Sequence, residues 1–322
     1  MNKQLIIETN DYWNIKKDPF FSVITPVYNR RALLTRLIET VKNQSFKDFE
    51  YIIVNDGSTE DLDTLVLPFL KESSFPVMYI KKPNGGVHTA RNAGIREARG
   101  YLTVLIDSDD ELISNALESF YNAWQTIPEQ EKDEYFRIAA LCITEKGTKG
   151  QLFPSNINSL PIKKAAIEYE RHLTEIFHAD RTSILKENPW PEPEGITFVT
   201  ESIIWFKLLR EYRVLCINEF LRVYHTEGDD HVFVNGKAKS TQYIKNIVWS
   251  YAYFLNNWKE RKTHLKNYSN MISIYCVLSK VLKKRGESLR DDMRLNHLRE
   301  KLLSIVLYIP SAIIAISYNN RK

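Results

Sequence analysis

The first 110 residues alternate short β-like runs with helical patterns, and that order restricts the chain to a narrow set of folds. FSVIT (Phe21–Thr25) reads as a strand stopping at Pro26. Arg31–Gln44 carries Leu33, Leu34, Leu37, Ile38 and Val41 as one stripe at helical spacing. FEYIIV (Phe49–Val54) is a second strand, ended by the turn-forming Asn55-Asp56-Gly57-Ser58. A short helix over 61–71 and a strand over Val77–Lys81 follow. A helix over Val87–Arg99 comes next, with Gly100 as its expected C-cap. YLTVLI (Tyr101–Ile106) is a continuous apolar strand of the kind buried on both faces. The pattern is βαβαβαβ, which predicts an α/β fold with a mostly parallel sheet flanked by helices. Ligands of such sheets bind outside the carboxyl ends of the strands. Three of those ends are polar and should share one crevice: Pro26–Asn29, Asn55–Ser58 and Asp107–Asp110.

Beyond residue 124 the pattern loosens into loops, some strands and a basic helix near Ile162–Phe177. A helix over Ser202–Tyr212 and a strand over Val214–Ile217 come next. From about Gly236 the chain reads as helical and basic. Residues 237–322 carry a net charge of +12 and the rest −8, within a total of +4. The expected division is therefore a domain over 1–235 and a basic helical extension over 236–322. An acidic body argues against a nucleic-acid partner, whose binding domain would itself be basic. Cys142, Cys216 and Cys276 are widely spaced and form no CxxC, which excludes a disulfide framework and points to a reducing compartment. The first 20 residues hold nothing like a signal h-region. The expected location is cytoplasmic, extending to a peripheral position on the cytoplasmic face of the inner membrane.

Asp107-Ser108-Asp109-Asp110 is the sharpest local feature. Carboxylates crowded at the end of a buried strand repel one another and are costly without a cation among them. Mg²⁺ or Mn²⁺ suits oxygen ligands, using one or two carboxylates plus substrate phosphates. The alternative is helix capping by Asp109 or Asp110 near Leu112, and for Asp110 capping is the preferred reading. No P-loop or GxGxxG is present: Gly85-Gly86 lacks the Lys-Ser/Thr of phosphate-binding ATPases.

SVITPVYNR, VNDGST, NGGVHTARNAGI and LIDSDDEL, in this order and spacing, resemble the family 2 glycosyltransferases. The likeness is strong over Phe21–Leu112 and holds in outline to Tyr224. It implies the GT-A fold and inverting transfer of a sugar from a nucleotide-diphosphate donor to a hydroxyl acceptor. By the same resemblance, Pro26, Tyr28 and Asp56 wall the nucleotide-base pocket, with Asp56 accepting from an imide N–H, which favours a UDP-sugar. Arg91 faces the nucleotide, Asp107 contacts ribose or metal, and Asp109 ligates Mn²⁺ or Mg²⁺ on the diphosphate. In TFVTESIIWFK, relatives carry Glu-Asp where this chain has Thr200-Glu201, so Glu201 is the expected acceptor base, with Glu192 and Glu194 as fallbacks. Asn218–His225 resembles the segment closing the donor site, where His225 could complete the metal sphere. Thr226–Val234 is a candidate lid.

Lys and Arg crowd the stretch from Lys280 to Lys301, and Leu302–Tyr318 follows as 17 residues without a charge. That is short for a span, which needs about 20 apolar residues. An interfacial helix beside a polybasic segment fits better, and it would suit a saccharide or lipid-linked saccharide acceptor at a membrane surface. Two further classes stay open: a catalytically silent nucleotide-sugar-binding scaffold, and a sugar nucleotidyltransferase that releases pyrophosphate.

Overall fold

A computed structural model of the chain describes residues 5–15, 18–172, 174–225, 240–257 and 265–296, the last range without side chains for 265–270. The elements run β1 (Ile6–Thr9), α1 (Asp11–Ile15), β2 (Phe21–Val27), α2 (Arg31–Lys42), β3 (Phe49–Asn55), α3 (Asp63–Glu72) and β4 (Val77–Lys81). Next come α4 (Val87–Glu97), β5 (Leu102–Leu105), β6 (Glu111–Leu112), α5 (Ala116–Gln125), β7 (Tyr135–Thr144) and α6 (Ile162–Glu170). The series ends with β8 (Ile176–Arg181), α7 (Thr182–Glu187), α8 (Ser202–Glu211), β9 (Arg213–Tyr224), α9 (Thr241–Asn257) and α10 (Leu265–Lys284).

The strands form one sheet in the order β1-β4-β3-β2-β5-β8-β7-β9-β6. Its centre, β4-β3-β2-β5, is parallel throughout, as the βαβ alternation predicts. β8 joins this centre antiparallel to β5, and β9 runs parallel to β7. On one face, Leu34, Leu37, Ile38 and Val41 of α2 join Leu117, Phe120 and Trp124 of α5 over Phe21, Val23, Tyr51 and Val104 of the strands. These side chains are all buried, the result of a helical stripe meeting strands whose inward residues are large and apolar. α4 lies over β2 and β3 on the opposite face. There a Cβ added to Gly94 would stand 2.5 Å from Ile24 Cγ2, so glycine permits the close helix–sheet approach.

Gly100 differs from its expected role. α4 ends at Glu97 with Ala98 as its C-cap, and Gly100 instead lies against β2, where an added Cβ would meet Ser22 N at 2.3 Å. Its N–H donates to Ser22 Oγ at 2.8 Å, and that hydroxyl donates to the buried Glu50 at 2.6 Å. β2 also runs through Pro26 rather than stopping there. The basic helix near 162–177 is shorter than expected, because the chain extends again into β8, whose residues pair with β5 and β7.

The chain divides into two compact units, Met1–Trp190 with Leu208–Gly228 and Pro191–Lys207 with Asp229–Lys322. This differs from the expected division at 235/236 in the placement of Pro191–Lys207. The reason is polar: Asn246 and Ser250 of α9 accept the backbone N–H groups of Thr197 and Thr200 at 3.2 and 3.3 Å. Among the described residues, no helix is long and apolar enough to cross a membrane. Leu302–Tyr318 and the candidate lid Thr226–Val234 lie outside the described residues. The three cysteines are buried and unbridged, and burial pushes the Cys142 and Cys216 thiols up to about 11 and about 12.

Candidate active site

β3, β2 and β5 are neighbours and parallel, so their carboxyl ends deliver Asp56, Tyr28 and Asp107 to one edge of the first unit. The loops after β2 and β3 are laced together. The Asn29 side-chain oxygen accepts from Thr59 N, Thr59 Oγ1 and Glu60 N at 2.8, 3.1 and 3.2 Å, while Asn29 N donates to Ser58 Oγ at 2.8 Å. These bonds hold Asn29 and Arg30 in the left-handed region, with φ of +57° and +65°. The first amide of α2, Arg31 N, donates to Glu60 at 2.9 Å, so a carboxylate from the neighbouring loop satisfies the helix N-terminus.

Asp56 is buried and ion-paired to Lys82, and its two oxygens accept Gly85 N at 3.0 Å and Gly86 N at 2.8 Å. It therefore shapes the 82–86 loop that leads into α4. A carboxylate has about four acceptor positions, so these bonds leave room for a ligand N–H. Pro26 is buried within β2, whereas Tyr28 is 47% exposed and not spent on core packing.

The acidic stretch after β5 is met by four arginines, from α4, β9, α2 and the N-cap of α2. Arg91 of α4 is buried rather than solvated, with Nη2 2.9 Å from Asp107 Oδ1. Arg30 Nη1 lies 2.8 Å from Asp109 Oδ2. Arg222 of β9 reaches Asp110 at 3.5 Å and Glu175 at 3.2 Å. Arg36 of α2 pairs with Glu111 at 3.1 Å and also donates to the Asp109 carbonyl. Burial works against ionisation of Asp107, but Arg91, Arg222 and Arg30 together outweigh it and hold that carboxyl below the usual range. Burial pushes the Asp110 carboxyl up to about 7; Asp107 and Asp109 add to the rise, while Arg222 opposes it.

Asp110 caps no helix. The chain passes from it into β6, which pairs with β9, and α5 begins only at Ala116. The Asp110 carboxylate instead accepts His225 N at 3.3 Å. The His225 ring turns to Glu111, with Nε2 2.7 Å from Oε1, so a metal role at His225 would fall to Nδ1. As a donor set for a divalent ion, Asp107 and Asp109 fit: both are only partly buried, carry hard oxygens, and stand two residues apart at a strand end. Among the described residues, no group of three or more His, Cys, Asp and Glu side chains converges into a complete metal cage. The remaining ligands would have to be water and ligand oxygens.

The structure thus gathers Pro26, Tyr28, Asp56, Arg91, Asp107, Asp109 and His225 in the first unit, while Glu201, Glu192 and Glu194 belong to the second. The Glu201 carbonyl accepts Ile204 N and Trp205 N at 3.1 and 3.3 Å, which makes it the residue on which α8 starts. Its carboxylate receives Trp205 Nε1 at 3.5 Å. The backbone carbonyl of Glu194 accepts from Arg290 at 2.5 Å. Sequence reasoning missed Arg30, Arg36, Lys82, Glu111 and Arg222. Arg30 and Arg222 stood inside quoted motifs, but their carboxylate partners come from other elements.

Residues 22–130, which hold all three strand ends, match the family model Glycosyl transferase family 2. Over that segment the chain matches the family. An uncharacterized glycosyltransferase of Rickettsia bellii is 31% identical over 255 residues, covering 76% of this chain and 33% of the relative. The chain thus spans a third of that relative's length. A GalNAc(5)-diNAcBac-PP-undecaprenol beta-1,3-glucosyltransferase of Campylobacter jejuni is 25% identical over 305 residues, covering 90% and 94%. Among solved structures, Staphylococcus aureus TarS 1–349 in complex with UDP-GlcNAc aligns with a TM-score of 0.54 at 18% identity, covering 92% and 81%. That likeness identifies the GT-A fold.

Proposed function

We propose that the protein transfers a sugar, with inversion at the anomeric carbon, from a UDP-sugar to a hydroxyl of a saccharide or lipid-linked saccharide. The observation that carries this reading is the clustering of Tyr28, Asp56, Asp107 and Asp109 at three adjacent parallel strand ends, with Arg91 of α4 on Asp107. The full-length match to a glucosyltransferase named for an undecaprenol-linked substrate supports the acceptor class.

In this reading Tyr28 covers the base and Asp56 accepts its imide N–H. Arg91 keeps Asp107 ionised and turned toward the ribose. Asp107 and Asp109 would hold Mn²⁺ or Mg²⁺, which supplies positive charge where the leaving diphosphate becomes more anionic. Glu201 removes the acceptor proton as the hydroxyl attacks, since the hydroxyl becomes a competent nucleophile only as that proton leaves. We further propose that the basic segment 236–322 rests on an acidic lipid surface from the cytoplasmic side.

Calorimetric titration of UDP and GDP, each with and without Mn²⁺, tests the donor site in the wild type and in Asp109→Ala. The expected result is Mn²⁺-dependent UDP binding, weakened at least about tenfold in the variant. A preference for GDP would overturn the uridine reading of Asp56, and no binding of either would overturn the donor site. Glu201→Gln should bind UDP as the wild type does and lose about 100-fold or more in hydrolysis of UDP-sugars without acceptor. Unchanged turnover in that variant would refute the base assignment.

A further inference from the structure

Of the four arginines that meet the acidic stretch, Arg30 sits in a position poorly suited to arginine. It occupies the N-cap of α2 with φ of +65°, and its side chain makes no capping hydrogen bond. That site favours Asn, Asp or Gly on both capping and backbone grounds. The left-handed pair Asn29–Arg30 is held by the Ser58, Thr59 and Glu60 contacts, none of which requires a cation at 30. The Arg30 guanidinium lies on Asp109 Oδ2 at 2.8 Å. Arg91 and Arg222 are 7% and 10% exposed, whereas Arg30 is 25% exposed and springs from a loop junction. The Arg30 guanidinium is therefore better able to leave its carboxylate than the two more deeply buried guanidiniums.

We propose that Arg30 is an exchangeable counter-cation. It neutralises Asp109 while the donor site is empty of nucleotide, then leaves that oxygen and takes a diphosphate oxygen when donor and divalent ion bind together. The inference rests on the UDP-sugar reading above. Its physical basis is competition: a guanidinium and a divalent cation cannot share one carboxylate oxygen without repulsion, and the diphosphate is the anion that arrives with the ion. Arg30 thereby sets a threshold against metal alone and adds affinity for the metal–diphosphate pair.

Mn²⁺ binding without nucleotide, read by the electron paramagnetic resonance signal of the free ion, separates the two roles when set beside UDP affinity at saturating Mn²⁺. Arg30→Gln should bind Mn²⁺ alone about three- to tenfold more tightly and UDP with Mn²⁺ about three- to tenfold more weakly. Arg30→Lys, which keeps the charge, should fall between the variant and the wild type. Arg31→Gln serves as control, because Arg31 bonds Asp61 and Thr64 instead. Arg30→Asn suits the left-handed backbone and replaces the Gln variant should that one fail to fold. Unchanged Mn²⁺ affinity, or unchanged UDP affinity, in a folded Arg30 variant of an enzyme that binds UDP overturns the counter-cation role alone. Absence of UDP binding in the wild type overturns the donor reading and this inference together.

Discussion

Two arginine–aspartate clusters lie in the sheet of the first unit, and they handle charge in opposite ways. Between β7 and β8, Arg137 and Asp180 face each other in register and are both 1% exposed. Their contact is bidentate, at 2.5 and 2.9 Å, and Tyr169 OH and His178 Nδ1 complete it at 3.3 and 3.0 Å. Burial raises the cost of the Asp180 charge, yet Arg137 and His178 bring its carboxyl down to about 2. At the carboxyl ends of β2 and β5, Asp107, Asp109, Asp110 and Glu111 are packed into five residues, and single arginines arrive from outside that stretch. There Asp110 is pushed up to about 7. The first cluster is closed and balanced, so it serves structure. The second is partly exposed, and its carboxylates crowd one another at the open end of the sheet, which is the electrostatic condition for taking in a cation-bearing ligand.

The sharpest way to break the comparison is one substitution type applied to both clusters. Asp180→Asn leaves Arg137 buried beside a neutral partner and should cost about 3–5 kcal/mol in urea unfolding. A cost under about 1 kcal/mol would place that pair outside the structural role given to it. Acid titration probes the same cluster at smaller amplitude. Because the folded Asp180 carboxyl sits below its unfolded value of about 3.8, its stabilisation is complete above that pH and is lost as pH falls toward about 2. Unfolding monitored across this window should show about 2 kcal/mol lost in the wild type beyond the loss in Asp180→Asn. The smallest stability effect belongs to the other cluster. Asp109→Asn should shift stability by less than about 1 kcal/mol, since its partner Arg30 is partly solvated. That same variant should lose Mn²⁺-dependent UDP binding. A large destabilisation there, with donor binding intact, would reverse the roles of the two clusters.

Much of this architecture was legible before any coordinates. β4 matches its expected range at both ends, and α2 begins at the expected Arg31 with four of its five stripe residues buried. Both follow from local rules, period two or 3.6 combined with turn residues. Gly100 was misread for the same reason: a glycine after a helix looks like a cap, and only the approach of β2 explains it. Asp110 differs from its expected role because a carboxylate before an apolar pattern resembles an N-cap, while His225, the residue after β9, supplies the amide it accepts. β9 extends well past the expected Val214–Ile217, because the bulges against β7 interrupt its periodicity.

The sequence alone determined the βαβ order, the three polar strand ends, and the residues gathered there from β2, β3 and β5, because each of these is written in contiguous residues. Tertiary structure alone decided which cation meets which carboxylate. Arg30, Arg91, Arg36 and Arg222 approach Asp109, Asp107, Glu111 and Asp110 from outside the acidic stretch. An ion pair depends on a few ångströms of separation and on burial, and neither is a property of local sequence.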